Sequence, residues 1–216
     1  MSTHIRPLYW LGKTLAKIIC MCLGRFRLHG TDNIPDEGGV LIAANHGSFL
    51  DPPVVGTGVK RPCFFMGKKE LFDVPVFSWI IRHVGCFPVD REAPNKATLK
   101  FAVKILKEIG SPLVVFPEGG RTRDGELQEA GIGAALMASR AGAPIVPAYI
   151  KGTWESHGPG SKLPRRSNIS VRYGEPIETA TPDGKKASKE QLQVLTDRVM
   201  ASLAALKAEA EADEAK

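Results

Sequence analysis

The hydrophobic positions fall into short runs separated by longer amphipathic stretches. The runs have the length of ordinary strands, and Gly, Pro or Asn residues bound most of them. The stretches between the runs show the spacing of helices. This alternation predicts an α/β fold, in which helices flank a mostly parallel mixed sheet. The predicted strands cover residues 39–45, 62–67, 85–90, 112–117, 144–150 and 168–174.

Three helices have recognisable ends. The apolar positions of residues 96–110 and 128–142 recur at helical spacing, and each segment ends at a glycine, which favours a helix C-terminus. The last helix is predicted to begin at Ser188, with Gln191 three residues later as a capping box. These ends separate the helices from the strands on either side.

Two prolines interrupt predicted strands. Because proline has no backbone N–H, it is excluded from most positions inside a sheet. We therefore expect Pro88 and Pro147 to lie at sheet edges, at bulges or at strand ends.

The amino-terminal segment is apolar, aromatic and basic. Its apolar residues recur at spacings of three or four, so residues 5–28 are predicted to form one amphipathic helix. Two interpretations stay open: a helix on a membrane surface, or a helix packed on the core of its own domain. We predict an amino-terminal membrane-surface helix in residues 1–30 and a catalytic domain in residues 31–216.

Charge changes this picture by suggesting what the protein contacts. The chain of 216 residues has a formal net charge of +6, and its first 30 residues contain no Asp or Glu. This favours anionic partners such as phosphate groups or membrane surfaces. No nucleic-acid-binding motif is recognisable. The four cysteines have no zinc-ligand spacing, which predicts free thiols and no metal. No signal peptide is recognised, and no apolar run is long enough to span a bilayer.

Charged residues follow four of the predicted strands directly. If these strands are parallel, their carboxyl ends gather the charged groups at one edge, where ligands of open α/β sheets bind. Several cations and a glycine-rich turn would suit a phosphate. The alternative is a solvated turn in which Arg121, Arg123 and Asp124 form a local ion pair. The candidates are His46, Lys68, Lys69, Arg91, Glu118, Gly119, Arg121 and Arg123.

His46 and Asp51 form a second candidate feature. A neutral imidazole accepts a proton near neutral pH, and a carboxylate on its other nitrogen fixes the tautomer. The sequence has no G-x-S-x-G nucleophile motif, so such a pair would activate a hydroxyl of the substrate. The alternative is a turn without chemistry, since Asp51 precedes a proline.

These segments resemble the four motifs of the glycerolipid acyltransferase family, whose best-known members are the 1-acylglycerol-3-phosphate acyltransferases. "NHGSFLD" resembles the first motif, "GCFPVDR" the second, "FPEGGRTRDG" the third and "APIVPAYI" the fourth. The motifs occur in the family's order between residues 45 and 150. Two positions depart from the pattern: Gly120 replaces the usual Thr, and Pro88 lies where an apolar residue is common.

The resemblance implies a role for each matching residue. His46 would be the general base and Asp51 its partner, whereas Pro147 belongs to the motif on the acyl-donor side. The reaction implied is acyl transfer from acyl-CoA or acyl carrier protein to a lysophospholipid, preferably 1-acyl-sn-glycerol-3-phosphate, without a cofactor or metal. The implied location is peripheral, at the cytoplasmic face of the membrane. The residues implied in binding the acceptor phosphate are Arg91, Glu118, Gly119, Arg121, Arg123, Lys68 and Lys69.

Other functions stay open on the sequence. The acceptor could be glycerol-3-phosphate or another lysolipid. The protein could also be a lipid-phosphate binding module without catalysis, or a thioesterase-like hydrolase. Thiol release from acyl-CoA, with and without an acceptor, would separate these possibilities.

Overall fold

The computed structural model describes residues 6–90, 96–179 and 186–214, without the side chain of residue 6. Within these ranges, one sheet contains the strands β1 (Phe26–His29), β2 (Val40–Ala44), β3 (Phe64–Lys68), β4 (Cys86–Val89), β5 (Pro112–Val115), β6 (Ile145–Lys151) and β7 (Ile169–Tyr173). The α-helices are α1 (Arg6–Leu23), α2 (Asp51–Gly56), α3 (Pro75–His83), α4 (Lys96–Lys104), α5 (Gly133–Ala141), α6 (Thr153–His157) and α7 (Lys189–Glu214). Two 3₁₀ turns cover Thr31–Asn33 and Lys69–Phe72, and a π-helical turn covers Ile105–Ile109.

The sheet has the order β1-β7-β6-β2-β5-β3-β4. Neighbouring strands are parallel except for β6 and β7, which are antiparallel. The carboxyl ends of β2, β3, β4, β5 and β6 therefore meet at one edge of the sheet, and β1 and β7 begin there. We call this edge the carboxyl rim. The predicted mixed, mostly parallel sheet is confirmed, and so is the shared edge of the four strands that precede charged residues.

Strand β2 lies in the middle of the sheet and is buried on both faces. Its alternate residues Val40, Ile42 and Ala44 pack on the side of α1 and α2, whereas Leu41 and Ala43 pack on the side of α4, α5 and α7. All five side chains are fully buried. Because residues of both parities are covered, this strand is apolar at every position instead of alternating with polar residues.

The amino-terminal helix is shorter than the sequence predicts. α1 ends at Leu23, and residues 26–29 form β1, an edge strand parallel to β7. Tyr9, Ala16 and Cys20 are buried against the domain, and the opposite face of α1 remains apolar and exposed. The packed interpretation is therefore correct for one face. No described helix combines the length and hydrophobicity that crossing a membrane requires.

Other local predictions have mixed outcomes. Gly110 and Gly142 end their helices with a positive φ, as expected. The capping box is present, because Ser188 Oγ accepts the Gln191 N–H at 3.2 Å and Gln191 Oε1 accepts the Ser188 N–H at 2.8 Å. Pro88 lies in the edge strand β4. The expectation for Pro147 is wrong, since it lies within β6, an interior strand, opposite Ala43.

Candidate active site

His46 and Asp51 are brought into direct contact at the carboxyl rim. His46 follows β2, and Asp51 is the first residue of α2. The Nδ1 atom of His46 lies 2.8 Å from Oδ2 of Asp51. His46 is 6% exposed and Asp51 is completely buried. The chain thus forms a His-Asp pair and not a simple capped turn.

The Asp51 carboxylate also holds the turn between the two residues. Its Oδ2 atom accepts the backbone N–H groups of Gly47 and Ser48, each at 2.7 Å. An oxygen that already accepts two amide protons must accept from the imidazole too, so Nδ1 of His46 donates its proton. Nε2 is then the nitrogen with a free lone pair, and it is the atom that can remove a proton from a substrate.

The loop after β5 fixes His46 from the other side. The ring of Phe116 stacks on the imidazole with a centroid distance of 4.1 Å. Glu118 Oε1 accepts the backbone N–H of His46 at 3.3 Å, and the Thr122 N–H donates to the His46 carbonyl at 2.8 Å. The first and third motifs are therefore one unit, although about 70 residues separate them in the sequence.

Glu118 has an unusual environment for a carboxylate. Burial raises its pKa to about 7, and the nearby charges of Asp51 and Asp124 act in the same direction. Its Oε1 atom holds the His46 backbone, whereas its Oε2 atom is buried and has no hydrogen-bond partner among the described residues. This second oxygen can accept a hydroxyl of a bound substrate or, when protonated, donate to it.

The two arginines of the third motif lie on the surface beside this unit. The Arg121 guanidinium lies 3.7 Å from the ring centroid of Phe49, a residue three positions after His46. Arg123 is exposed. Asp124 binds the hydroxyl of Thr122 and the N–H of Glu126 through Oδ1, and within the described ranges it forms no ion pair with Arg121 or Arg123, unlike the alternative interpretation. Both guanidinium groups have no ion-pair partner in the described parts of the chain.

The remaining predicted residues have other surroundings. Lys68 and Lys69 follow β3 and are exposed; Lys68 pairs with Glu70 at 3.5 Å and Lys69 with Asp90 at 2.5 Å. Gly119 has a φ of 72°, which favours glycine, and its N–H donates to the Phe116 carbonyl. Pro147 is buried in β6, and the Gly174 N–H donates to its carbonyl. Arg91 lies outside the described residues.

Known proteins resemble this chain at the level of family and fold. A family model described as "Acyltransferase" matches residues 25–151, which is more than half of the chain. The chain belongs to the acyltransferase family. The resemblance drawn from the four motifs is thereby confirmed, and the acyltransferase match includes both members of the His-Asp pair.

Individual relatives carry more specific names. The 1-acyl-sn-glycerol-3-phosphate acyltransferase of Streptococcus pneumoniae is 34% identical to this acyltransferase. The match covers 82% of this chain and 64% of the length of that relative. The protein of the same name from Bacillus subtilis is 32% identical over 84% of this chain and 87% of its own length. The crystal structure of the 1-acyl-sn-glycerophosphate acyltransferase from Thermotoga maritima superposes with a TM-score of 0.73 at 26% identity. That match covers 93% of this chain and 80% of the other, and it supports the predicted fold class.

Sequence reasoning missed Trp154, which joins three loops of this acyltransferase. A Cβ atom added to Gly47, Gly125 or Gly158 would lie 3.0–3.1 Å from side-chain atoms of Trp154. The indole therefore packs directly on the turn after His46, on the loop that carries Arg121, and on the loop after α6. Helical spacing could not reveal this role, because α6 is a single short turn.

The sequence also did not reveal an apolar groove beside the His-Asp pair. The groove has a volume of about 300 Å³ and runs between α1 and α2 on one side and α3 on the other. Phe49 and Pro52 line the end nearest His46, and Tyr9, Lys13 and Val84 line other parts of the wall. Residues from α1, α2, β3, α3 and β4 contribute, so no single sequence pattern describes the groove.

Proposed function

We propose that this acyltransferase transfers a fatty acyl group from acyl-CoA or acyl carrier protein to 1-acyl-sn-glycerol-3-phosphate, giving phosphatidic acid. One observation carries the proposal. Phe49, three residues after His46, lines the apolar groove and also contacts the guanidinium group of Arg121. A base, a cationic loop and an apolar groove therefore meet at one place. The names of the relatives support the choice of acceptor.

In this proposal, His46 acts as the general base. Nε2 removes the proton of the acceptor hydroxyl while that oxygen attacks the thioester carbonyl. The carbon–sulfur bond then breaks, and the imidazolium returns the proton to the leaving thiolate. The Asp51 carboxylate stabilises the positive charge that His46 carries between these steps. Proton transfer of this kind contributes on the order of 10²–10⁴ to the rate.

The acceptor phosphate would bind beside the loop that follows β5. Arg121 and Arg123 offer planar donors that match phosphate oxygens, and neither is neutralised by a described carboxylate. Glu118 would bind the glycerol part of the acceptor through its second oxygen. A role in binding the acceptor phosphate stays a prediction for Arg91, Lys68 and Lys69. The two lysines would exchange their carboxylate partners, Glu70 and Asp90, for the phosphate.

The acyl chain of the donor would lie in the apolar groove. Apolar side chains dominate its wall, and burial of each methylene contributes roughly 0.8 kcal/mol. Pro147 is not among the residues that line the groove. Its predicted part on the donor side would therefore be indirect, through β6 and the neighbouring strand β2.

The same side of the molecule would contact the membrane on its cytoplasmic face. α1 and α3 flank the groove, and both helices expose large apolar side chains to solvent. An exposed apolar surface of this kind is typical of a lipid or protein contact, and here it would allow lipid substrates to enter from the bilayer. The exposed residues are Trp10, Leu11, Leu15, Ile18, Ile19, Val76, Phe77, Trp79 and Ile80.

The test is thiol release from acyl-CoA by the purified protein, with and without 1-acyl-sn-glycerol-3-phosphate. We expect release only with the acceptor, at equal rate to phosphatidic acid formation. His46→Ala should lower turnover by at least about a hundredfold and leave acceptor binding nearly unchanged. His83, which lies on α3 and hydrogen-bonds the Trp79 carbonyl, provides a control histidine for the same substitution.

Each alternative has its own result in this assay. Release without an acceptor would identify a hydrolase, and release only with glycerol-3-phosphate would change the acceptor. Binding of both lipids without any release would indicate a binding module. A His46→Ala protein with normal turnover would remove the base from the mechanism.

A further inference from the structure

Two segments without carboxylates meet at the carboxyl rim, outside the catalytic site. Residues 1–31 contain five cations and no Asp or Glu, and residues 156–174 contain four cations and no Asp or Glu. The backbone joins them, because the Ser167 N–H donates to the Leu23 carbonyl at 3.1 Å and the Ile169 N–H donates to the Arg25 carbonyl at 2.8 Å. The antiparallel arrangement of β6 and β7 places this junction on the same edge as His46.

A cleft of about 470 Å³ lies at this junction. Met21 and Leu23 of α1 form an apolar part of its wall, and Arg25 and Arg166 line it with guanidinium groups. Both arginines are exposed, and neither forms an ion pair with a described residue. The wall thus combines an apolar surface with two free cations, as a phosphate group attached to hydrocarbon would require.

The loop that supplies Arg166 is held in place by hydrogen bonds. The Arg165 N–H donates to the Ser156 carbonyl at 2.8 Å, and the buried Ser156 hydroxyl donates to the Arg165 carbonyl at 2.7 Å. The Arg25 N–H donates to the Asn168 side chain at 3.1 Å. Because these hydrogen bonds fix the backbone at both ends of the loop, binding of an anion would not carry the entropic cost of ordering the loop backbone.

Nearby carboxylates do not neutralise the cleft. Arg25 also borders a second cleft that includes Asp213 and Glu214 of α7. Asp213 pairs with Arg172, and Glu214 pairs with Lys151 at 2.7 Å. These acids already have cationic partners, and neither lines the cleft between Arg25 and Arg166.

The cleft is continuous with the exposed apolar face of α1. Met21 lines the cleft and is 61% exposed, and Ile18 lies one turn earlier and is 50% exposed. In the loop itself, Leu163 is 77% exposed between cationic residues. A mixture of apolar and cationic groups fits the interface of a bilayer, whereas an acidic carrier protein would not require the exposed apolar side chains.

We propose that this cleft binds the phosphate of an anionic phospholipid in the membrane, with Arg25 and Arg166 as its cations. The lipid is a second ligand, separate from acceptor and donor, and it holds the carboxyl rim against the bilayer. The inference rests on the membrane contact suggested under the proposed function. It does not depend on which lysolipid is acylated.

The test compares binding of the full chain to phosphatidylcholine vesicles with and without phosphatidylglycerol, by co-sedimentation. For the double variant Arg25→Ala/Arg166→Ala we expect roughly thirtyfold weaker binding to the anionic vesicles. Each cation near an anionic surface strengthens binding by about fivefold, and the variant lacks two of them. Binding to neutral vesicles should not change. High salt should remove the difference between the variant and the unmodified protein.

The matched control is Lys189→Ala/Arg198→Ala, which removes the same charge from exposed positions of α7, on the opposite face of the sheet. Equal loss in this control would overturn the proposal, because it would show a general effect of net charge. Unchanged binding of the Arg25/Arg166 variant would overturn it directly. Displacement from vesicles by inorganic phosphate, but not by chloride at equal ionic strength, would identify a site for free phosphate instead.

Two activity measurements separate this proposal from the others. Acyl transfer in detergent micelles reports the catalytic function without a bilayer, and the Arg25/Arg166 variant should retain it. If the variant loses activity only with an acyl carrier protein donor while still binding vesicles, the cleft is a protein-docking surface. If the unmodified protein transfers no acyl group, the proposed function fails, but the vesicle result still decides on the cleft.

Discussion

At the scale of single residues, the site depends on two carboxylates, Asp51 and Glu118, and each has one buried oxygen without a hydrogen-bond partner among the described residues. Asp51 Oδ2 receives three hydrogen bonds, from the imidazole and two amides, and this fixes the base without freedom to rotate. Glu118 uses one oxygen to hold the His46 backbone and keeps the other unpaired in a buried position. The three hydrogen bonds to Asp51 hold the imidazole in one orientation, whereas the raised pKa of Glu118 allows that carboxyl to change its protonation state near neutral pH.

The raised pKa of Glu118 predicts a pH-dependent stability. Between its ordinary value of about 4.5 and about 7, the folded protein keeps a proton that the unfolded chain releases. Rising pH in this window therefore favours unfolding, and the effect is complete above about pH 7. We expect the unmodified protein to lose stability relative to Glu118→Gln over this window in urea unfolding measurements. Parallel stability curves for the two proteins would show that Glu118 does not titrate there.

At the scale of elements, the short helix α6 connects loops that carry different parts of the site. The indole of Trp154 contacts glycines in the loop after His46 and in the loop after Arg123. A glycine at each contact lets the backbone approach Trp154 closely, since an added Cβ atom would lie only 3.0 Å from its side chain. The distance between the base and the cationic loop is therefore set partly by the width of one indole.

Trp154→Ala should move the cationic loop relative to His46. We expect kcat/KM for the acceptor to fall by about tenfold or more, mainly through KM, because the base keeps its Asp51 contact while the phosphate donors shift. Trp154→Phe should recover much of the loss. Glu155→Ala, an exposed neighbour on the same helix, serves as the control. A loss of thermal stability with an unchanged KM would assign Trp154 a purely structural role.

The helices around the groove should determine which acyl donors are used. Ile81 of α3 lines the groove, whereas the adjacent Ile80 is exposed and does not. Ile81→Trp should lower kcat/KM for long acyl donors by roughly tenfold relative to short donors, because space for one or two methylenes is lost. Ile80→Trp should leave the preference unchanged. The measurement is a series of acyl-CoA donors of increasing chain length, and identical profiles for all three proteins would exclude the groove as the acyl site.

The sequence predicted those parts of the site that depend on neighbouring residues. His46 and Asp51 are five positions apart, so a single turn is enough to bring them together. The groove and Trp154 depend on contacts among distant segments, and no local pattern records them. The sequence did not predict β1 for another reason. Its four residues continue the apolar and basic composition of α1, so only the pairing with β7 distinguishes a strand from a helix there.

At the scale of the whole molecule, the two faces of the sheet differ in character. On one face α1 and α3 expose apolar side chains around the groove. On the other face α7 packs on the sheet, and ion pairs such as Lys151–Glu214 and Lys207–Glu126 lie at its surface. On the proposed membrane contact, this difference would orient the protein, with the face of α1 and α3 toward lipid and the face of α7 toward water.

The orientation predicts that exposed apolar residues of α1 control membrane binding. Leu11→Ser with Leu15→Ser should weaken binding to neutral vesicles by about tenfold or more, because two half-exposed side chains would no longer enter the lipid. Activity in detergent micelles should change little. Val194→Ser, which removes an exposed apolar residue from α7, is the control. Equal vesicle binding by all of these proteins would contradict the assignment of the lipid-facing side.

The packing of α1 limits how the protein can be divided. Tyr9 and Lys13 belong to the wall of the groove, Cys63 hydrogen-bonds the Tyr9 hydroxyl, and Leu23 tethers the loop at Ser167. If α1 served only to attach the protein to a surface, its deletion would leave the fold and the activity of the remaining domain unchanged. Removal of α1 would open the apolar groove proposed for the acyl chain and would free the loop at Ser167 beside the edge strand β1, so we expect membrane binding and acyl transfer to be lost together.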